Sequence, residues 1–141
     1  MDVVSDYIEA LKQTDSNRMQ TLRSEDYVMD FVAGDAFSES VVSNTGIHLF
    51  WTTWFHGLSD FSYQVSRTFS AKHFVITEWI LTGIHIGQLG PPMSEKTISP
   101  SGERISYRGV SIYEVNNQQI QKETLYMDLA TIWVELGVED V

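Results

Sequence analysis

Residues 47–58 constrain the fold most. Ile47, Phe50, Trp51, Trp54, Phe55 and Leu58 fall at offsets of 0, 3, 4, 7, 8 and 11, which is one continuous apolar face of a helix. Ser43 and Asn44 stand before it as capping residues, and Gly57 sits near its end, where glycine is favoured. A helix this aromatic needs a broad apolar surface to press against, and the downstream chain supplies one. Phe61, Tyr63 and Val65 alternate with Ser62, Gln64 and Ser66, the pattern of a half-buried strand. Residues 73–86 predict a long second strand, 104–115 a third, and 119–127 a fourth after the turn Asn116-Asn117. Upstream, Val4, Ile8 and Leu11, widened by Tyr7, mark a first helix. A break and cap cluster at 14–17 leads into a short second helix carrying Met19 and Leu22, and 27–32 reads as a strand. Residues 129–136 predict a terminal helix ended by Gly137. Helices gathered before an antiparallel sheet give the α+β class. The expectation is a single domain over 1–141: a curved antiparallel sheet wrapped as a cone around helices, with a small-molecule pocket at its open mouth. The loop 87–102, with all three prolines, is expected to form the rim.

Charge and composition narrow the function. The net charge of −10 disfavours nucleic acid and anionic membranes as partners. The absence of cysteine excludes a disulfide scaffold, a thiolate nucleophile and Cys-ligated metal. The N-terminus is acidic, without the basic and apolar run of a signal peptide, and no apolar stretch approaches the roughly 20 residues that span a bilayer. A cytoplasmic location is expected. The 4 Trp, 6 Tyr and 7 Phe are generous for this length and suit an apolar pocket or interface.

Several segments, taken in order and spacing, carry a family resemblance. They are Leu58-Ser59-Asp60-Phe61; residues 78–87, EWILTGIHIG; residues 101–110, SGERISYRGV; and residues 123–128, ETLYMD, followed by Glu135-Leu136-Gly137. Over residues 3–137 the chain resembles the SnoaL-like polyketide cyclases, within the superfamily of nuclear transport factor 2 and ketosteroid isomerase. It is also similar to the fungal meroterpenoid isomerases of that family, which rearrange terpenoid lactone and ester rings. The resemblance implies the cone fold and a cofactor-free isomerase or cyclase that moves protons on a polycyclic terpenoid or polyketide substrate.

It also implies a catalytic aspartate at Asp128. A carboxyl in an aromatic-lined cone loses hydration and gains proton affinity, although Asp128 also suits the cap of the helix starting at Leu129. His73 begins the long second strand with the parity of Val75, Thr77 and Trp79, and imidazole suits proton transfer near neutrality. Asp60 stands at the helix-to-strand junction, as a catalytic group or a structural cap. Arg108 is a candidate for holding a carbonyl or developing enolate, against an exposed arginine paired with Glu78 or Glu123. Tyr63, Trp79, Tyr113 and Tyr126 are candidate pocket walls, against plain core.

His48, His56, His73 and His85 show no HxxxH or HExxH spacing, so no metal is expected; a site from His73, His85 and Asp60 or Asp128 is the alternative. No glycine-rich phosphate loop or nucleophile elbow occurs. Two functions compete. One is the acid–base enzyme. The other is a module binding a hydrophobic ligand or a protein, favoured if Trp51, Trp54 and Trp79 fill the cavity. The convex sheet face, carrying Val75 or Ile76, predicts a homodimer.

Overall fold

The computed structural model describes residues 2–32, 41–89 and 99–127. Helix α1 spans Asp2–Lys12 and α2 spans Ser16–Leu22. The Asp15 carboxylate caps α2 by accepting from the Arg18 amide at 3.0 Å. Strands β1 (Arg23–Val32) and β2 (Val41–Ser43) lead to the aromatic helix α3 (Asn44–Gly57), whose first turn is closed by the Ser43 hydroxyl. Then come β3 (Leu58–Ala71), β4 (Phe74–His85), β5 (Arg104–Asn116) and β6 (Gln119–Met127). The expected terminal helix and residues 90–98 of the expected rim loop lie outside the described residues.

The strands form one open, curved sheet in the order β2-β1-β6-β5-β4-β3. The expected meander is present: β3, β4, β5 and β6 pair antiparallel in sequence. Asn117 and Gln118 turn the last hairpin with φ of 51° and 60°, the paired left-handed conformation of a tight hairpin. The all-antiparallel expectation needs one correction. β1 lies parallel to β6, with Met29 opposite Glu123 and Phe31 opposite Leu125. Hairpin signals are local, whereas this pairing joins strands on either side of α3 and the whole meander. The short β2, absent from the sequence reading, covers the other edge of β1.

One face of the sheet carries the core. Val75, Trp79 and Leu81 of β4, Ile105, Tyr107 and Tyr113 of β5, and Tyr27, Met29 and Phe31 of β1 are buried with Tyr7 and Leu11 of α1 and Phe50, Trp51 and Trp54 of α3. Aromatic edges do much of the packing: Phe50 meets Phe31 at 5.8 Å and Trp51 at 5.0 Å, and Trp54 meets Tyr107 at 5.9 Å. Such pairs add about 0.5–1.5 kcal/mol each beyond their buried area.

Two irregularities decide which side chains face inward. Between Glu114 and Val115 the β5–β6 register shifts, so that Val115 pairs with Ile120 but Glu114 with Lys122. A bulge of this kind reverses parity along the strand. Ile120 is buried, and beyond the shift Glu123 and Leu125 are buried instead of Lys122 and Thr124. The second lies between Ser59 and Ser62 of β3, where Asp60 takes a φ of 50°.

Candidate active site

The cavity lies between α3 and the inner sheet face. Its walls are Phe50, Trp51 and Trp54 of α3, Tyr63 of β3, Trp79 and Leu81 of β4, Tyr107 of β5, and Leu125 and Met127 of β6; its polar floor is Ser111 and Glu123. It encloses about 330 Å³ counting the part open to solvent, but the centre of a water molecule has only about 10 Å³ to occupy, roughly the space of one water. Trp51, Trp54 and Trp79 thus nearly fill it.

Glu123 is the chemically distinctive group. It is 3% exposed, and it faces inward because of the β6 bulge. The Trp79 indole donates to the Ser111 hydroxyl at 2.9 Å, and Ser111 donates to Glu123 Oε2 at 2.8 Å. An indole N–H can only donate, so Ser111 accepts from Trp79 and has its own proton to give to Oε2 when Glu123 is ionised. Tyr27 donates to Oε1 at a longer 3.4 Å. Oε1, with only this long bond, is the less firmly held of the two oxygens. Burial pushes the Glu123 carboxyl up to about 7, against the opposing pull of the Ser111 and Tyr27 hydroxyls and the positive charge of Arg23. A carboxyl so placed is present in both forms near neutral pH, as a general acid–base group requires.

Tyrosines surround it. Tyr7, Tyr27, Tyr63 and Tyr113 all have phenols pushed upward, first by burial, so they stay neutral. Trp79 stacks on Tyr63 at 5.4 Å. Gly109 lies opposite Trp79 on β5, and a Cβ there would stand 2.4 Å from the indole ring and 2.7 Å from the Tyr126 carbonyl. The bare glycine thus gives the indole its place.

The sequence candidates separate. Tyr63 and Trp79 line the cavity. Tyr113 is fully buried beside it, edge-on to Tyr7 at 6.0 Å. The other expected placements need correction. His73 is exposed in the β3–β4 turn, because its strand starts at Phe74 and its end overhangs the covered face. Asp60 is exposed and paired with Arg104 at 2.7 Å, turned outward at the β3 bulge. Arg108 is exposed, with the outward parity of β5. Tyr126 is 44% exposed, since inward Glu123, Leu125 and Met127 leave it on the outer face. Asp128 lies outside the described residues; it follows the cavity-lining Met127 in the chain.

The alternative metal set of His73, His85 and Asp60 does not converge. The two histidines stand at opposite ends of β4, about 40 Å apart at the rise of an extended strand. Among the described residues no cluster of three metal-ligating side chains forms, and no helix is long and apolar enough to cross a membrane.

Against known proteins, the model of the SnoaL-like polyketide cyclases matches residues 1–136. The chain belongs to that family. As a SnoaL-like protein it shares a lineage of cyclases, which supports an enzymatic role of cyclase or isomerase type. No curated protein sequence matches it. Among solved structures, AclR, a proposed hydroxylase of Streptomyces galilaeus, superposes with a TM-score of 0.78 at 15% identity, covering 96% of this chain and 93% of that one. TsrD of Streptomyces laurentii gives 0.75 at 15% identity over 97% and 93%. IdmH of Streptomyces antibioticus, a proposed polyketide cyclase, gives 0.74 at 18% identity over 97% of each chain. At these identities the likeness establishes the fold, which hosts many chemistries.

Proposed function

We propose that this SnoaL-like protein is an isomerase or cyclase that uses its own side chains as acid and base on a polycyclic terpenoid or polyketide substrate, such as a meroterpenoid lactone. The observation that carries the reading is Glu123: an ionisable carboxyl on the floor of an aromatic cavity, with Oε2 held by the Ser111 hydroxyl and Oε1 by only a long bond from Tyr27. As carboxylate, Glu123 removes a proton from a carbon next to a carbonyl. The C–H electron pair becomes an enolate, which attacks a second carbonyl of the same substrate or expels a ring oxygen. Protonated Glu123 then returns its proton to the oxygen or carbon that gained charge, and the cycle closes without net loss of a proton. The aromatic walls hold the substrate folded for the intramolecular step. Because they nearly fill the cavity, substrate entry requires rings to turn; Trp51 itself is stacked on the half-buried Phe55 at 5.3 Å. Asp128 is proposed as the second carboxyl.

The test is proton exchange. The purified chain is incubated in deuterium oxide with a panel of polycyclic ketones and terpenoid lactones, and deuterium at carbons next to carbonyls is read by mass spectrometry. Wild type should accelerate exchange in at least one member, and Glu123→Gln should slow it by about 10²–10⁴-fold. Equal rates in the two proteins, or no exchange anywhere in the panel, overturn the assignment. The close fill by Trp51, Trp54 and Trp79 favours a second reading, a module that binds a hydrophobic ligand without chemistry; saturable binding of a panel member with no exchange would establish it.

We also propose that the outer sheet face pairs with a second copy of the chain. Phe69, Phe74, Ile80 and Tyr126 are exposed, and Phe69 lies opposite the outward Ile76; a second copy would cover these apolar side chains. Light scattering should give twice the 16.1 kDa chain mass, and Ile80→Asp should give the monomer. A monomeric wild type at micromolar concentration rejects the pairing.

A further inference from the structure

Arg23 is only 3% exposed, at the start of β1 behind the cavity, and no carboxylate binds it among the described residues. Its Nε donates to the Asn44 side-chain carbonyl at 2.7 Å and its Nη1 to the Tyr7 hydroxyl at 3.0 Å, while Nη2 is buried without a partner. Asn44 is itself held by the Ser24 carbonyl at 3.0 Å. The guanidinium lies over the Tyr7 and Tyr27 rings, at 5.8 and 5.4 Å from their centroids.

A buried cation is a costly way to fill space. An apolar side chain of similar volume is commonly as stable or more so. Among the described residues the buried charged or titrating groups of the core are Arg23, Glu123 and His85, and His85 lies at the far end of β4. What joins Arg23 to Glu123 is the tyrosine pair: Arg23 donates to Tyr7 and lies over the Tyr27 ring, and Tyr27 donates to Glu123 Oε1. Oε1 is the oxygen that Ser111 leaves free.

We propose that Arg23 is a positioning residue, a buried cation that acts through Tyr7 and Tyr27 to hold the proton-exchanging oxygen of Glu123 in its ionisable state. The inference rests on the acid–base role given above to Glu123, but it concerns that group's titration rather than turnover. Among the described residues the guanidinium supplies the positive charge that acts on the carboxylate, and it holds Tyr7 and lies over Tyr27, the phenol that donates to it. Without it, the groups that the ionised carboxyl faces among the described residues are neutral: Tyr7 from α1, Tyr27 from β1, Tyr63 from β3, Trp79 from β4, and Ser111 and Tyr113 from β5. Burial would then keep it protonated to higher pH. Arg23 thereby lets a deeply buried carboxyl serve as a base near neutrality.

The experiment follows the Glu123 carboxyl by carbon-13 NMR in protein labelled at glutamate carboxyls, the resonance being assigned by its loss in Glu123→Gln. Arg23→Met should move the Glu123 midpoint up by about one pH unit, the lower end of the effect of a nearby opposite charge. Arg23→Lys keeps the charge and should recover at least half of that shift. Tyr27→Phe, which leaves Arg23 in place but removes the donor at Oε1, should shift the midpoint in the same direction. An unchanged midpoint in a folded Arg23→Met protein overturns the proposal. If Arg23→Met does not fold, Tyr27→Phe decides: a wild-type midpoint there overturns it. A confirmed shift alongside unaffected deuterium exchange in Glu123→Gln would leave Arg23 coupled to Glu123 while removing Glu123 from the chemistry.

Discussion

Glu123 should cost the fold stability, and its removal should return it. The carboxyl is raised from its ordinary 4.5 to about 7 in the folded chain. Below the unfolded value both states carry the proton and the group is neutral to folding. As pH rises from 4.5 toward 7, the unfolded chain loses its proton while the folded chain keeps it, so the unfolded state gains. Above 7 the whole difference is lost to folding. At about 1.4 kcal/mol per pH unit, a shift of about 2.5 units corresponds to roughly 3 kcal/mol. Glu123→Gln removes the ionisation but keeps a carbonyl to accept from Ser111 and an amide that Tyr27 can accept from. It should therefore be more stable than wild type above neutrality by up to about 3 kcal/mol, and indistinguishable near the unfolded carboxyl value. For 141 residues, an unfolding entropy of about 2.1 cal/mol/K per residue converts the ceiling to roughly 10 °C in Tm. The assay is thermal unfolding of both proteins across a pH series. A variant less stable than wild type above pH 7, or a difference that does not change with pH, refutes the buried, raised carboxyl. The same substitution should abolish proton exchange, so stability and activity should move in opposite directions.

Other outcomes follow from single contacts. Gly109→Ala places a methyl against the Trp79 ring and the Tyr126 carbonyl; it should cost about 1–3 kcal/mol as an overpacked site and alter tryptophan fluorescence as the indole leaves Ser111, and wild-type stability and emission would disprove that packing. His85, buried with Nδ1 against Ser101 at 3.0 Å, has its imidazole pushed below 6.5 chiefly by burial. The unfolded chain binds that proton first as pH falls through 6.5, so wild type should lose stability toward acid relative to His85→Gln; parallel pH curves for the two would contradict this. Asp128→Asn should slow exchange by about 10²–10⁴-fold if it is the second carboxyl, whereas His73→Ala, far from the cavity, should leave the rate unchanged; a slow His73→Ala protein would return His73 to the site.

The elements were legible because each is written in local spacing. The aromatic face of α3, the Ser43 and Asp15 caps, and the alternation of the meander strands all appear where periodicity and capping chemistry put them. Trp79 was readable as a cavity wall because the parity of β4 runs unbroken, and Tyr63 because it sits in the regular stretch of β3 between its two register shifts. Glu123 was not readable. In the strand 119–127, strict alternation from buried Ile120 would send Lys122, Thr124 and Tyr126 inward. The register shift reverses that order and presents Glu123 to the floor. The clue available beforehand was Leu125 and Met127, apolar residues that share the parity of Glu123.

By itself, then, the sequence determined α1, α2 and α3, the strands β1 and β3 to β6, the α+β class and the aromatic character of the cavity, since these depend on patterns a few residues long. The three-dimensional packing alone decided the parallel pairing of β1 with β6, the outward turn of Asp60 at its bulge, and the meeting of Arg23, Tyr7, Tyr27, Ser111 and Glu123. Those residues come from α1, β1, β5 and β6, as much as 96 positions apart in the Tyr27–Glu123 bond. No local spacing encodes such a meeting. It arises because a bulge sets the parity of one strand and burial leaves its carboxyl no solvent, so that its proton affinity is a property of the assembled interior.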